Sequence, residues 1–331
     1  MKKGYVLKQI SKLIIDVRMI LTFCIEANSF FWILLKHNAS SPLKKTAEKL
    51  QYLILRETHV IEKGMSMKNP RKGFGQEKVD KLLEKFLAYS KIRNDDFLLY
   101  PLSAVKKYID YSKSNSVQVP KIEESYNQLI VGRYLVDKFI DAGVKTIARE
   151  DIWMKSKINF KDFVQSRHSI RYFSEDEYPN LDTIKAALKM AQRTPSACNR
   201  QAWRVYVFGK EKTLELLTWQ GGARGFESDI PMSILVTADL NGFLHYEPHQ
   251  PYVDGGMYTM TLIYALHSLG LGTIPLSTGF ASSKVRTLYK KFNIPKNEVP
   301  IVIIGVGCLK EEFNVAVSHR NSIDKVAKIN I

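Results

Sequence analysis

Three short runs rich in β-branched residues, "WRVYVF" (203–208), "MSILVTA" (232–238) and "PIVIIGVG" (300–307), constrain this chain more than any other feature. Each is short and almost continuously apolar, which is how a strand buried inside a sheet reads. Between them lie helical patterns. "LDTIKAALKMAQR" (181–193) has Asn180 placed as its N-cap, and "GGMYTMTLIYALHSLG" (255–270) has Asp254 near its start and Gly270 near its end. Helices interleaved with buried strands predict an α+β or α/β domain of about 175 residues, a normal domain size.

Before about residue 155 the pattern is different. "PLKKTAEKLQYLILRETHVIEKG" alternates charge with Leu and Ile at helical spacing, and Gly64 is placed to end it. "VDKLLEKFLAYS" and "YNQLIVGRYLVDKFIDAG" read as further helices, with Gly143 as a stop. The stretches 68–76 ("KNPRKGFGQ") and 112–124 ("SKSNSVQVPKIEE") read as loops. The organisation expected is a helical region over 1–155 and a second domain over 156–331, which a chain of 331 residues has room for.

Charge separates the halves again. The chain has 49 Lys+Arg and 33 Asp+Glu, a net of +16; residues 1–150 hold 27 and 16 of these, so +11 sits there and +5 in the remainder. A basic front half favours phosphorylated ligands or a membrane surface. It does not favour nucleic acid, because the lysines are dispersed along helices and no DNA- or RNA-reading motif is present. Cys24, Cys198 and Cys308 are odd in number and far apart, which points to a reducing, cytoplasmic setting rather than a disulfide framework. The start has charges breaking its apolar run and no small-residue cleavage pattern, unlike a secretory signal. The segment "MILTFCIEANSFFWILL" (19–35) is slightly short for a span and has Glu26, Asn28 and Ser29 near its middle. It reads as a buried helix, with an interfacial helix between basic flanks, a peripheral membrane contact, as the alternative.

Four stretches carry candidate chemistry. In "SRHSIRYF" (166–173), Arg167, Ser169 and Arg171 alternate, so an extended backbone aims two guanidiniums and a hydroxyl the same way, a set that suits a phosphate monoester. Alone, it is equally a solvated basic loop with Ser169 as a helix cap. In "RTPSACNRQAW" (193–203), Pro195 ends a helix and Ser196 and Ala197 let backbone approach a flat ligand. Asn199 and Gln201 there offer a donor and an acceptor each, or bond their own backbone. "HSLGLGTIPLSTGF" (267–280) can turn main-chain N–H groups to a ligand or serve as a helix cap and strand entry. Arg320 precedes a final short helix.

In this order and spacing, these elements, with "DGGMYTMTLIYALHSLGLGTIPL", "VIIGVG" and the late "HR", make residues 160–331 resemble the FMN-dependent nitroreductase family. The resemblance implies an α+β fold with a central mixed sheet flanked by helices. It implies an NAD(P)H oxidoreductase working by ping-pong through FMN to a small-molecule acceptor, and a homodimer with the flavin at the interface. It implies that Arg167, His168, Ser169 and Arg171 hold the phosphate, ribityl chain and ring edge, with Arg171 nearest the pyrimidine edge. Pro195, Ser196, Asn199 and Gln201 would approach from the second subunit, Ser277, Thr278 and Gly279 would face the reactive N5, and Arg320 would bind phosphate. The cofactor carries such chemistry, so no catalytic triad or carboxylate pair is required, and no catalytic side chain is named.

Two stretches qualify this. Relatives carry an amide or a basic residue just before the central strand, whereas here "GFESDIPMSI" (225–234) has Glu227 and Asp229. Either that loop turns away or turnover is slow. "HYEPHQPYVDGG" (245–256) brings His245, Glu247 and His249 near one another, but Pro248 and Pro251 argue for a loop with Tyr246 and Tyr252 free to stack on substrate, and no metal is expected. Separately, "HVIEKGMSMKNPRKGFG" (59–75) resembles the leader region of long nitroreductase-like proteins associated with bacterial cell-surface polysaccharide synthesis. Its His59, Glu62 and Lys63 would share a helical face as a salt-bridged surface.

Overall fold

The computed structural model describes residues 2–43, 45–67, 71–93, 95–131, 140–144, 146, 158–313, 315 and 322–330. Helical periodicity in the first half gives α1 (Lys2–His37), α2 (Ala47–Met65), α3 (Gln76–Ser90), α4 (Leu99–Ser114) and α5 (Pro120–Val131). The Thr46 hydroxyl accepts from Lys49 N to start α2. Helices α2 to α5 pack into their own apolar core around Ile54, Ile61, Leu82, Phe86 and Tyr108.

Several expectations shift here. Gly64 does not end α2, which runs on to Met65. It is glycine because a Cβ there would lie 2.1 Å from the Phe74 ring, so the "KG…GFG" spacing is a packing contact. The supposed loop 112–124 shrinks to 115–119, with Pro120 opening α5, where its missing N–H costs nothing. Glu62 is not part of a salt bridge among the described residues. Its carboxylate accepts from the Tyr100 hydroxyl at 2.5 Å and Gly143 N at 2.8 Å, tying α2 to α4 and to the segment at 140–144. The expected domain boundary near 155 lies outside the described residues.

The second half gives α6 (Phe160–Ser166), α7 (Leu181–Ala191), β1 (Trp203–Phe208), α8 (Lys210–Gln220), β2 (Met232–Asp239), α9 (Gln250–Ser268), β3 (Leu271–Ser277), α10 (Ser282–Lys291), β4 (Glu298–Cys308) and α11 (Ile323–Val326). The four strands form one sheet in the order β1-β2-β4-β3. The expected mixed sheet is corrected: every strand pair is antiparallel. The excursion through α8 starts and finishes at the same end of the sheet, since Ser233 pairs with Phe208, and so β2 must run back along β1. The one parallel feature among the described residues is a bridge between Ser169 and Thr273.

Alternation along the strands divides the core into two layers. Ile234, Val236, Ile304 and Val306 face α7 and α9, while Leu235, Ile303, Ile274 and Leu276 pack with α8 and α10. Gly307 on β4 lies beneath Phe173, whose ring a Cβ would meet at 2.5 Å. This contact and the burial of Ile170 pin the "SRHSIRYF" segment to the sheet.

The helical part is fastened to one end of that sheet. Tyr52 of α2 donates to Asp239 at 3.2 Å and accepts from Arg204 at 2.6 Å, and Asn297 donates to the other Asp239 oxygen. Burial, and then the charge of Asp239, push the Tyr52 phenol up, so it remains a donor. Around this pair Ala202, Phe243 and Val299 pack with Ile33 and Leu34 of α1.

Helix α1 is not the buried helix expected for 19–35. It has 36 residues and so is about 54 Å long, and only its last turns rest on the sheet domain. Ile14, Met19, Ile20, Leu21 and Ile25 are all more than half exposed.

Gly64→Ala gains about 1 kcal/mol of helix propensity but drives a methyl into Phe74, which costs about 1–3 kcal/mol by overpacking. A net loss of stability is expected, read as a lower urea midpoint, and an unchanged or raised midpoint would contradict the packing role.

Candidate functional site

The basic turn begins at α6. Asn159 caps that helix, and Arg167 leaves it in extended conformation (φ −77°, ψ 118°). Ile170 N donates to Thr273 O at 2.9 Å and Ser174 N to Cys308 O at 3.0 Å, so the turn wraps the first half of β3 and the end of β4. Arg167, Ser169 and Arg171 are half-buried, and His168 is exposed. Neither guanidinium has a carboxylate partner among the described residues. Nearby, Lys310 pairs with Glu175 at 3.0 Å, so the arginines are the uncommitted charges. Half-buried, unpaired guanidiniums beside a hydroxyl form a donor set for phosphate.

His267, which sequence reasoning passed over, joins them from the end of α9. Its Nε2 lies 2.8 Å from the Ser166 hydroxyl. Burial, and then the charges of Arg167 and His168, hold the imidazole below its ordinary value, so it adds no charge beside the arginines at neutral pH.

Ser277, Thr278 and Gly279 lie at the far end of β3. The Ser277 hydroxyl accepts from Gly279 N at 3.1 Å, and Ser277 O accepts from the Gln220 side chain at 3.0 Å. The Thr278 hydroxyl donates to Ile301 O at 2.8 Å and Pro300 O at 3.1 Å, so its side chain belongs to the fold. Four residues separate Thr273 from Ser277, about 13 Å along the strand at about 3.3 Å per residue.

Pro195, Ser196, Asn199 and Gln201 sit before β1, at the same end of the sheet as Ser277 but on the opposite edge, about three strand spacings or 14 Å away. The loop is strained: Cys198, Asn199 and Gln201 all have φ of 50°, a left-handed region costly for side chains other than Asn. What holds it is visible. Buried Asp254 accepts from Ala197 N through both oxygens, at 3.2 and 3.3 Å, and from Gln250 at 2.7 Å. Ser196 accepts from Gln201 N at 3.0 Å. Arg200, its side chain 1% exposed, donates to Ala197 O and forms a two-pronged pair with Glu247 at 2.6 and 3.0 Å.

These contacts reassign three residues. Helix α9 starts at Gln250 with Pro251 in its first turn, so Asp254 is a loop anchor and not the helix cap, and Pro251 is helical and not in a loop. Glu247 is committed to Arg200, while His245 contacts Ser40 at 3.0 Å. Among the described residues no group of His, Cys, Asp and Glu could hold a metal ion. Glu227 turns its carboxylate onto its own loop, accepting from Gly225 N at 2.6 Å and Phe226 N at 3.2 Å. Arg320 lies outside the described residues.

The structure therefore brings the Arg167–Arg171 turn and the Ser277–Gly279 loop onto one edge strand and leaves the Pro195–Gln201 loop on the other edge.

Residues 164–220 match the family model described as Nitroreductase family. Among curated proteins, one assigned as an NADH dehydrogenase/NAD(P)H nitroreductase from Methanothermobacter thermautotrophicus is 26% identical over 152 residues, 46% of this chain and 78% of its own length. An NADH dehydrogenase from Thermus thermophilus is 23% identical over 201 residues, covering 51% of this chain and 95% of its own. Among solved structures, a protein assigned as a nitroreductase in complex with FMN, from Desulfovibrio desulfuricans, aligns with 53% of this chain and 99% of its own at 18% identity and a TM-score of 0.46.

Partial burial would raise the Glu247 carboxyl, but the Arg200 fork, Leu244 N–H and the charge of Arg56 overcome this and hold it below its ordinary value. A depressed carboxyl contributes stability that is present above its unfolded value, about 4.3, and is lost as pH falls through the folded value. Glu247→Gln is expected to cost about 3–5 kcal/mol by leaving a buried guanidinium unpaired and to flatten the acid limb of stability below about pH 4.3. Urea unfolding across pH checks both, and an acid limb identical to wild type would refute the role of the pair.

Proposed function

We propose that this chain is an FMN-dependent NAD(P)H oxidoreductase of nitroreductase type, acting as a homodimer on a small-molecule acceptor. The observation that carries the reading is the two half-buried guanidiniums, Arg167 and Arg171, without a carboxylate partner among the described residues and placed about 13 Å along β3 from the Ser277–Gly279 loop. A phosphate gripped at one end of that strand leaves a ribityl chain enough reach to lay a flavin ring at the other. The nitroreductase match over 164–220 and the names of the curated relatives support the same reading.

Bound FMN would supply the redox chemistry, taking a hydride from NAD(P)H and passing two electrons with protons to the acceptor. The chain's part is orientation and charge. Arg167, Ser169 and Arg171 would hold the phosphate end through charge-assisted hydrogen bonds. Ser277 to Gly279 fix the ring plane through backbone. The Pro195–Gln201 loop is held in a strained shape by Asp254 and Arg200, yet it lies too far across the sheet to complete the same site. A second copy supplies it if the two sheets meet at these edges, and this is why a homodimer is part of the proposal. Glu227, turned onto its own backbone, opposes a reduced flavin less than its position in the sequence suggests. The resemblance of residues 59–75 to leaders of envelope-polysaccharide proteins supports a role in that synthesis.

A second reading concerns where the protein works. Within Lys12–His37 an 18-residue window has a mean hydropathy of 1.5, and the segment is long and apolar enough by composition to cross a membrane, with little of this surface covered. With Lys12 and Arg18 on α1 and +11 over the first 150 residues, α1 suits insertion at an anionic bilayer surface, with the sheet domain left in the cytoplasm.

Purified protein should be yellow or take up added FMN, and Arg167→Ala should weaken FMN retention about tenfold or more, the value of a charge-assisted phosphate contact. Colourless protein that takes up no FMN would end the reading. For α1, the chain should float with anionic vesicles at low salt, and Ile14→Asp with Ile20→Asp should abolish this; flotation unaffected by the pair would rule α1 out as the anchor.

A further inference from the structure

A cavity of about 810 Å³ lies between the last turns of α1, the Ser277–Gly279 loop and α10. That volume is within the range of small-molecule sites. Its apolar walls include Phe30 and Ile33 from α1, Tyr252 from α9, and Val285 from α10. The exposed cations Lys36, Arg286, Lys290 and Lys296 border it.

The charge balance of this lining is one-sided. Glu26 is its one carboxylate, and that group accepts from Ser282 N at 2.8 Å at the start of α10. Among the described residues, no carboxylate pairs with Lys36, Arg286, Lys290 or Lys296, whereas the adjacent Lys291 pairs with Glu215 at 3.4 Å. Four like charges around an apolar cavity raise the local concentration of anions, and the walls behind them have no charge to satisfy. A purely polar anion leaves those walls wet, and a neutral hydrophobe leaves the cations unanswered. The lining is complementary to a molecule with both parts.

Position adds the second half of the argument. None of Arg167, His168, Ser169 or Arg171 lines this cavity, while Ser277, Thr278 and Gly279 all do. It therefore begins where the proposed flavin ring would end and extends away from the phosphate turn toward α1. All of its lining residues, the α1 wall included, lie outside the nitroreductase match, which covers residues 164–220.

We infer that this cavity is the acceptor site of the oxidoreductase proposed above, on which reading the assignment rests, and that its ligand is an amphipathic anion: an apolar body against Phe30, Ile33, Tyr252 and Val285 with a phosphate or carboxylate at Arg286, Lys290 and Lys296.

The test titrates full-length protein with n-octyl phosphate, n-octyl glucoside and inorganic phosphate, all below micelle formation, by calorimetry and by the visible spectrum of the same sample. Octyl phosphate should bind at least tenfold more tightly than either control and should perturb the absorption band of bound flavin. Lys290→Gln with Lys296→Gln should weaken octyl phosphate at least fivefold and leave both octyl glucoside binding and flavin content unchanged. Equal affinity for octyl phosphate and octyl glucoside, or no weakening in the double variant, overturns the ligand class. Tight binding to yellow protein with no spectral change overturns the acceptor assignment. Colourless protein that takes up no FMN but shows the predicted binding pattern separates the two readings: the ligand class stands, and the flavin reading falls together with the acceptor role.

Discussion

The phenol of Tyr52, set between Asp239 and Arg204, is the contact on which the arrangement of this molecule depends. It is the polar centre of an otherwise apolar seam, and it joins a helical unit with its own core to one end of a four-stranded sheet. Asp239 is 4% exposed, so each of its oxygens needs a donor, and besides the neighbouring Asn241 N the donors come from three separate places in the chain: Tyr52, Arg204 and Asn297. Asp239 thus registers the two units against each other in a way that apolar packing alone, being non-directional, does not. Because the seam lies at the end of the sheet occupied by Ser277–Gly279, the helical unit forms a wall of the candidate site.

The other organising feature is stored strain. Three residues with side chains sit in left-handed conformation between Ala197 and Gln201. The start of this run is held at Ala197 by two buried charged groups, Asp254 from the second turn of α9 and Arg200 against Glu247, and Gln201 N donates to the Ser196 hydroxyl. A loop that is costly to form and is pinned from two directions has been shaped for a purpose other than connection. Its exposed tips, Pro195, Asn199 and Gln201, are what it presents outward.

The strands β1, β2 and β4 were legible because β-branched runs buried on both faces have few other readings. So were the helix start at Asn180 and the left-handed close at Gly270. The antiparallel order was not legible, since a helix between two strands says nothing of whether it returns to the end it left. Asp254 was read as lying near a helix start; only the structure shows the helix beginning four residues earlier and the carboxylate reaching a loop 57 positions away in sequence. Arg200 and Glu247 went unpaired in the sequence for the same reason, as contacts between distant segments leave no local period. The composition of α1 was noted correctly but its environment was not: an apolar run predicts burial, and what buries it need not be the same chain.

The cavity beside Ser277 has two walls of different origin, one from the sheet domain and one from the end of a helix that touches the sheet core through Ile33 and Leu34. Changes in α1 can therefore reshape what the site admits while the strained loop, the arginine turn and the strand register stay as they are. If the cavity is the acceptor site proposed above, selectivity and scaffold are mechanically separable, and a lineage of such chains could exchange one acceptor for another by altering a single surface helix.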